Sequence, residues 1–162
     1  ELLKLYLDLE QLRFRDRFKV VFHIDPEVSL DQLQLPPMLL QPYAENAIKH
    51  AFKDNHPTQE LSISVEKQAS GGVILAIEDN GIGRPAAALK AKEGISAGTG
   101  VGMGLCADRL KLFNERFNVQ SKIDIIDLVE RGEPRGTRVE ILFSLHNQRM
   151  NPLSTGGSFA GQ

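Results

Sequence analysis

Three short segments, in a fixed order along the chain, constrain its fold and its chemistry more than any other feature. They are Glu45-Asn46-Ala47-Ile48-Lys49-His50, Asp79-Asn80-Gly81-Ile82-Gly83 and Gly98-Thr99-Gly100-Val101-Gly102-Met103-Gly104-Leu105. The first offers an amide that can hold a metal ion, the second a carboxylate that can read the edge of a base, and the third a glycine run that can approach phosphates closely. Together they predict a binding site for a purine nucleoside triphosphate.

The composition is typical of one globular domain with a full hydrophobic core. The chain has 162 residues, of which 41% are hydrophobic and 25% charged. A net charge of −2 without a basic stripe gives no electrostatic footprint for nucleic acid, and we expect no such partner. The single cysteine, Cys106, excludes an internal disulfide and indicates a reducing compartment. No run of about 18 apolar residues is present, and the chain begins at Glu1 without a signal peptide, so we expect a piece cut from a longer protein.

Hydrophobic spacing predicts an α+β fold in which helices cover one face of a sheet. Helices are predicted at residues 1–14, 41–52 and 101–117, and Pro42 marks the beginning of the second. Strands are predicted at residues 18–24, 61–65, 73–78, 122–126 and 137–145. Between the third strand and the last helix we expect a loop carrying a short helix. The Gly/Ser-rich end of the chain is predicted to be disordered.

Asp79 stands at the end of an apolar strand, where its side chain can face a cavity. A carboxylate only accepts hydrogen bonds, so it complements the exocyclic amine of adenine and repels the carbonyl of guanine. Gly81 and Gly83 allow the backbone to turn and approach a ring closely. The alternative is a plain hairpin turn, of which Asp/Asn-Gly is typical. A long loop follows in place of a strand, which argues against that alternative.

Asn46, Lys49 and His50 project from one face of the predicted second helix. The oxygen of Asn46 is a hard ligand suited to Mg²⁺, which takes one or two protein ligands beside phosphate and water. Lys49, one turn on, can place a positive charge against phosphate oxygens. The alternative is the solvated polar face of an amphipathic helix. We expect His50 to hydrogen-bond locally, since no other His or Cys stands at metal-ligand spacing.

The glycines at 98, 100, 102 and 104 alternate immediately before the predicted last helix. Backbone amides in such a loop, together with the helix N-terminus, form an anion site. A flexible linker is the alternative, but linkers are not interleaved with residues such as Val101 and Met103. A dinucleotide-binding fingerprint would need a strand directly before the glycines, and a Walker A loop would need a following Gly-Lys-Ser/Thr. The sequence has neither.

With these segments in view, residues from about Tyr6 to Phe143 resemble the catalytic domain of a LytS/YehU-type sensor histidine kinase. That domain shares its fold with gyrase, MutL and the large heat-shock chaperone. The resemblance is carried by Tyr6-Leu7-x-Leu9-Glu10-x-x-Arg13, Leu35-Pro36-Pro37-Met38-Leu39-Leu40-Gln41-Pro42-Tyr43-Ala44-Glu45-Asn46-Ala47-Ile48-Lys49-His50, Asp79-x-Gly81-x-Gly83, Gly100-x-Gly102-x-Gly104-Leu105 with Arg109-Leu110, and Gly136-Thr137.

The resemblance implies a two-layer α/β sandwich of the Bergerat type: a mixed sheet with helices on one face and a left-handed βαβ connection. It implies that Asn46 holds Mg²⁺, that Asp79 reads adenine with Thr137 nearby, and that residues 84–99 form an ATP lid. The implied nucleotide-binding residues are Asn46, Lys49, Asp79, Gly81, Gly83, Gly100, Gly102, Gly104, Leu105 and Thr137.

The implied activity is transfer of the ATP γ-phosphoryl group to a histidine on a dimerisation domain, and from there to an aspartate of a response regulator. The implied organisation is the end of a dimerisation and phosphoacceptor region at residues 1–16, the ATP-binding domain at 17–147 and a disordered tail at 148–162. The whole protein is then expected to be a homodimer. It would be an inner-membrane-anchored bacterial protein with this domain in the cytoplasm, joined to the membrane only through the removed N-terminal part.

Two departures from the family refine the expected chemistry. The phosphoacceptor box is missing, and His23, His50, His56 and His146 lack its surroundings. ATP-hydrolysing relatives carry a glutamate where this chain has Pro42, so the resemblance favours phosphoryl transfer over hydrolysis. The catalytic roles fall to Glu45, which would orient the acceptor histidine, and to Lys49. The alternatives are a non-catalytic nucleotide-sensing or interaction module and a serine kinase of the anti-sigma type.

Overall fold

The computed structural model describes residues 1–15, 17–33, 35–52, 58–84, 101–117 and 119–144. The helical elements are α1 (Leu2–Arg13), a 3₁₀ turn (Leu30–Gln32), α2 (Gln41–Asn46), a π-helical turn (Ala47–Ala51) and α3 (Val101–Phe117). The strands are β1 (Phe18–Ile24), β2 (Gln59–Lys67), β3 (Val73–Asp79), β4 (Gln120–Glu130) and β5 (Glu133–Ser144). The predicted disordered tail and almost all of the predicted lid lie outside the described residues.

The five strands form one mixed sheet in the spatial order β1-β2-β3-β5-β4. The β1 and β2 strands are parallel, and the chain between them passes through α2. The other neighbouring pairs are antiparallel. The predicted mixed sheet is therefore confirmed, and each predicted strand lies within or largely within an observed one.

One face of the sheet carries the hydrophobic core. Alternation along β2 places Leu61, Ile63 and Val65 on that face, as period two requires. The helical layer contributes Leu7 from α1, Tyr43 and Ala44 from α2, and Cys106 and Leu110 from α3 to the same cluster. This arrangement confirms the predicted two-layer α+β fold, and it buries the Cys106 thiol.

The opposite face of the sheet is polar. Arg138 of β5 forms ion pairs with Glu66 on β2, Glu78 on β3 and Glu140 on its own strand, at 3.4, 3.0 and 2.7 Å. These pairs cross three adjacent strands and leave the sheet with a charged outer surface, which is why its inner face alone needs a helical cover.

The second helix differs from its prediction as a single regular helix over 41–52. It begins at Gln41 with Pro42 in the first turn, as expected, but its α-helical part ends at Asn46. The backbone then widens into a π-helical turn, which the Phe52 N–H closes on the Ala47 carbonyl at 3.0 Å. Such widened turns are rare and occur often at functional sites.

The last hairpin is longer than its predicted strands. The β4 strand spans 11 residues and β5 spans 12, and their pairing continues to Glu130 and Glu133 beyond the part that lies over the core. Most residues of β4 are exposed or half-buried, so the apolar alternation used to recognise strands is weak there. Of the helices in the described part of the chain, none has the length and apolar character needed to cross a membrane.

Candidate nucleotide-binding site

Asp79 is the last residue of β3, and its side chain is enclosed by the neighbouring strands. Its residue surface is only 7% exposed, and it lies in register between Leu61 of β2 and Thr137 of β5. The carboxylate accepts a hydrogen bond from the Gly81 backbone N–H at 2.9 Å and another from the Thr137 backbone N–H. Burial raises the pKa of Asp79 to about 6, and the two backbone hydrogen bonds oppose that rise. At neutral pH the site therefore holds a desolvated carboxylate.

The loop that follows Asp79 packs directly on the π-helical turn. The Ile82 N–H donates to the Ala51 carbonyl at 3.2 Å. A Cβ atom at Gly81 would stand 2.5 Å from both the carbonyl oxygen and the Cβ of Ala51, so only glycine allows this approach. The contact brings the segment that begins with Asn46 and the loop that begins with Asp79 into one place, as the sequence predicted for a shared site.

Asn80 fixes the loop from the other side, a role that the sequence did not reveal. Its side-chain oxygen accepts from the Glu60 N–H at 2.8 Å, and its side-chain nitrogen donates to the Thr58 carbonyl at 2.6 Å. The Asn80 side chain therefore replaces a backbone partner at the beginning of β2. An Asp-Asn-Gly sequence is common to many turns, and nothing in it indicates a partner 20 residues away.

Gly136 places Thr137 against Asp79. Its φ angle is +132°, and a Cβ there would overlap the carbonyl oxygen of Asp79. Gly83, at the end of the loop, lies beside Pro134 and Gly136 at the beginning of β5. The structure therefore brings the predicted Gly81, Gly83 and Thr137 together around the predicted base-reading carboxylate.

Arg84 and Asp127 extend this row of contacts to the fourth strand. Asp127 of β4 is the register partner of Thr137, and its carboxylate accepts two hydrogen bonds from the Arg84 guanidinium at 2.7 and 2.8 Å. Those bonds lower the pKa of Asp127. Both side chains are partly exposed, so the pair adds little stability but ties the end of the loop to the sheet. The two residues are 43 positions apart, and no sequence signal links them.

Asn46 ends α2 and is half-buried. Within the described ranges, its side-chain amide takes part in no hydrogen bond. Glu45, beside it, accepts from Gln41 at 3.0 Å and from the Lys49 ammonium at 3.0 Å. Lys49 therefore lies one turn from Asn46, as predicted, but its ammonium group forms an ion pair with Glu45. As far as the described residues go, the amide of Asn46 is available to bind a ligand.

The glycine run lies partly within α3, as the predicted helix bounds of 101–117 imply, and not wholly before the helix. Residues 98–100, including the predicted Gly100, lie outside the described residues. Gly102 and Gly104 fall in the first turns of α3, and Leu105 is exposed. Among the described residues, a Cβ at Gly104 would have nothing within 4 Å, so packing against them gives no reason for glycine there. Because Gly104 has no side chain, the backbone of this turn is accessible to solvent or to a ligand.

The donor set fits a weakly held magnesium ion. No group of three His, Cys, Asp or Glu side chains with the geometry of a metal site occurs among the residues that the structure describes. One uncommitted amide is nevertheless compatible with Mg²⁺, because this ion keeps several waters and takes its other ligands from phosphate oxygens. The residues therefore suit a metal that arrives with a nucleotide.

Replacing Gly81 and replacing Gly104 should have opposite effects on stability. Gly81→Ala should lower the free energy of unfolding by about 1–3 kcal/mol, because the backbone must move away from Ala51. Gly104→Ala should raise it by about 0.5–1 kcal/mol, because alanine favours the helix and meets no atom. Urea denaturation measures both. Equal stability of Gly81→Ala and the parent chain would contradict the close contact.

Asp79→Asn should change stability in a pH-dependent way. Because the folded-state pKa is raised to about 6 from 3.8, the proton on Asp79 stabilises the fold fully below pH 3.8, and this stabilisation is lost as the pH rises through 6. At pH 7 the variant should therefore be more stable than the parent chain by about 1–3 kcal/mol. The difference should shrink between pH 6 and pH 4 in denaturation curves. A difference independent of pH would show that the carboxylate is not desolvated.

Comparisons with known proteins find relatives that cover most of this chain. A curated sensor protein LytS of Staphylococcus saprophyticus is 32% identical over 143 residues, covering 88% of this chain and 23% of that protein. The sensor histidine kinase YesM of Bacillus subtilis is 29% identical over 150 residues, covering 91% of this chain and 23% of that protein. The chain thus spans about a quarter of the length of these relatives.

Solved structures show the same fold. The catalytic domain of histidine kinase ThkA superposes with a TM-score of 0.51 at 18% identity, covering 87% of both chains. Full-length ShkA in complex with AMPPNP gives a TM-score of 0.54 at 17% identity, covering 88% of this chain and 29% of that one. Residues 36–147 match the family described as histidine kinase-, DNA gyrase B- and HSP90-like ATPases. This range contains every described residue of the candidate site. The chain belongs to this family, and the curated relatives above are sensor kinases of the LytS and YesM kind.

Proposed function

We propose that this chain is the ATP-binding catalytic domain of a two-component sensor histidine kinase. In this role it transfers the γ-phosphoryl group of ATP to a histidine on the protein's own dimerisation domain, for relay to a response regulator. The observation that carries the proposal is the buried Asp79 carboxylate, held between the Gly81 and Thr137 amides and next to the segment that begins with Asn46.

Asp79 suits recognition of adenine. Its carboxylate is charged at neutral pH and largely removed from water, so a hydrogen bond from the exocyclic amine of adenine offsets part of the cost of burying it. The carbonyl that guanine carries at the same position would meet a like partial charge. Thr137, whose backbone already bonds Asp79, lies close enough to contact the same base.

Asn46 and Lys49 suit the phosphates and their metal. Asn46 would hold a Mg²⁺ ion that arrives with the nucleotide, and the ion would supply neutralisation of phosphate charge. Lys49 would exchange its ion pair with Glu45 for phosphate oxygens, an exchange that costs little because the pair is exposed. We also assign the backbone at Gly100, Gly102, Gly104 and Leu105 to bind the phosphates.

Glu45 and Pro42 favour transfer to a histidine over hydrolysis. Pro42 has no group that could activate water, so the site lacks a base at the position where hydrolysing relatives have one. Glu45 keeps a carboxylate at the surface of α2, and Gln41 and Lys49 hold it in place. We assign Glu45 to orient the incoming histidine, which the sequence places in another domain.

The partners follow from this assignment. The catalytic domain needs a phosphoacceptor histidine, which we place in the dimerisation domain of a full-length homodimer, and a response regulator receives the phosphoryl group. The chain would then be the cytoplasmic part of a membrane-anchored bacterial sensor. The similarity to curated sensor kinases over about a quarter of their length supports an origin in a larger protein.

Nucleotide binding gives the first test. Titration calorimetry with Mg²⁺ and a non-hydrolysable ATP analogue should show binding of one nucleotide, and the GTP analogue should bind at least tenfold more weakly. Asp79→Asn should abolish nucleotide binding in a folded domain. Asn46→Ala should still bind the nucleotide, but its affinity should no longer depend on Mg²⁺. Because an ionised carboxylate accepts from the adenine amine more strongly than the protonated acid does, the affinity of the parent chain should fall as the pH drops through 6. No binding at millimolar nucleotide would refute the proposal.

Phosphoryl transfer gives the second test. The chain is mixed with the phosphoacceptor domain of its parent protein and radiolabelled ATP, and an acid-labile phosphohistidine should form on that domain. Glu45→Gln should slow the transfer while leaving nucleotide affinity unchanged, because Glu45 acts on the acceptor. An acid-stable product would indicate a serine kinase, and binding without any transfer would indicate a nucleotide-sensing module.

A further inference from the structure

The loop of residues 80–84 is held at alternate positions to three different parts of the molecule. The Asn80 side chain bonds to the backbone at the beginning of β2, and the Ile82 N–H bonds to the π-helical turn. The Arg84 guanidinium donates to the Asp127 carboxylate of β4. Two of these contacts therefore hold the loop to β2 and to the helical layer, and the third holds it to the last hairpin.

The contact between Arg84 and Asp127 differs from the other two because it is ionic and exposed. Asn80 and Ile82 are half-buried, whereas the side chains of Arg84 and Asp127 are 48% and 39% exposed. The guanidinium makes two hydrogen bonds to the carboxylate, at 2.7 and 2.8 Å, a geometry that fixes orientation as well as distance. In the described part of the chain, each residue is the only charged group that acts on the pKa of the other. The pair can therefore be changed without disturbing a larger network.

Asp127 lies in the same row of the sheet as Asp79. The register aligns Asp79 of β3 with Thr137 of β5, and Thr137 with Asp127 of β4. Residues in register on neighbouring strands lie on the same face of a sheet, so this row belongs to the face of the candidate site. The chain leaves the row at Asp79, and the ion pair joins it to the row again at Arg84. The row and the loop thus form a closed ring of contacts.

Both hydrogen-bond donors to the Asp79 carboxylate belong to this ring. The Gly81 N–H lies on the loop and the Thr137 N–H lies on the row, so they approach the carboxylate from different sides. The ion pair of Arg84 with Asp127 limits how far the loop can move from the row. A ligand that needs the carboxylate in a fixed setting binds more tightly when that setting is already ordered, because ordering on binding consumes part of the binding free energy.

We propose that Arg84 and Asp127 are positioning residues of the nucleotide site, whose ion pair holds the loop of residues 80–84 against the sheet and so orders the surroundings of Asp79 before the ligand arrives. The proposal deepens the proposed function and rests on it for the identity of the ligand. Neither residue needs to touch the nucleotide, since both act through the loop.

Nucleotide affinity tests this role in four variants. Arg84→Gln and Asp127→Asn should each weaken binding of the Mg²⁺-bound, non-hydrolysable ATP analogue by about twofold to fivefold, the range expected for an exposed ion pair. The exchanged pair, Arg84→Asp with Asp127→Arg, should restore the affinity. The matched control is Lys67→Gln, which breaks an exposed ion pair with Glu27 at the other end of β2 and should bind as the parent chain does.

The exchanged pair separates positioning from direct contact. If Arg84 bound the phosphates itself, the exchanged pair would stay weak and Asp127→Asn would bind at least as tightly as the parent chain. Either result would overturn the positioning role. Equal affinities for the parent chain, Arg84→Gln and Asp127→Asn would overturn it as well.

Hydrogen exchange tests the same role without nucleotide. In the ligand-free chain, Arg84→Gln should speed exchange of the Gly81 and Ile82 amides by about twofold to fivefold, and the exchanged pair should reverse the effect. Lys67→Gln should leave both rates unchanged. If the parent chain binds no nucleotide, the proposed function fails, and these exchange rates alone decide on the ion pair. Nucleotide binding with affinities and exchange rates equal in all variants would refute the ion pair and leave the proposed function standing.

Discussion

The buried carboxylate of Asp79 is the constraint on which the rest of the site depends. A charged group with so little exposure is stable only when its oxygens are hydrogen-bonded, and Gly81 and Thr137 supply that bonding from two directions. Both donors require glycine nearby: Gly81 itself must lie against Ala51, and Gly136 must lie against the Asp79 backbone. The burial of one charge thus dictates the conformation of the loop behind it and of the strand beside it.

The same contacts couple the two halves of the proposed site. The loop after Asp79 bonds to Ala51, the last residue of the π-helical turn that follows Asn46. The carboxylate proposed to read the base and the amide proposed to bind the metal therefore lie on segments in direct contact. A regular α-helix would place the Ala51 carbonyl elsewhere on the helix surface, so the widened turn is part of how the site is assembled.

Sequence reasoning predicted the parts of this molecule that depend on local pattern. The β1 strand and α3 have the predicted bounds, Asp79 ends its strand, and the backbone amides of Gly81 and Thr137 both bond its carboxylate. It failed where partners are distant in sequence. The pairing of Arg84 with Asp127 spans 43 residues, and the π-helical turn depends on a loop about 30 residues further along the chain. The sheet extension in β4 has no core beneath it and so leaves no apolar alternation to read.

Helix α1 contacts the helix of the proposed site through the core. Leu7 packs in the cluster that also contains Tyr43 and Ala44 of α2, the helix that carries Asn46 and Glu45. Burial raises the pKa of Tyr6, and the charges of Glu10 and Glu45 raise it further, which places Tyr6 within electrostatic reach of the proposed catalytic carboxylate. One carboxylate oxygen of Glu10 is buried at this junction without a hydrogen-bond partner among the described residues. An unsatisfied buried acceptor destabilises one arrangement of α1 relative to any other that would satisfy it.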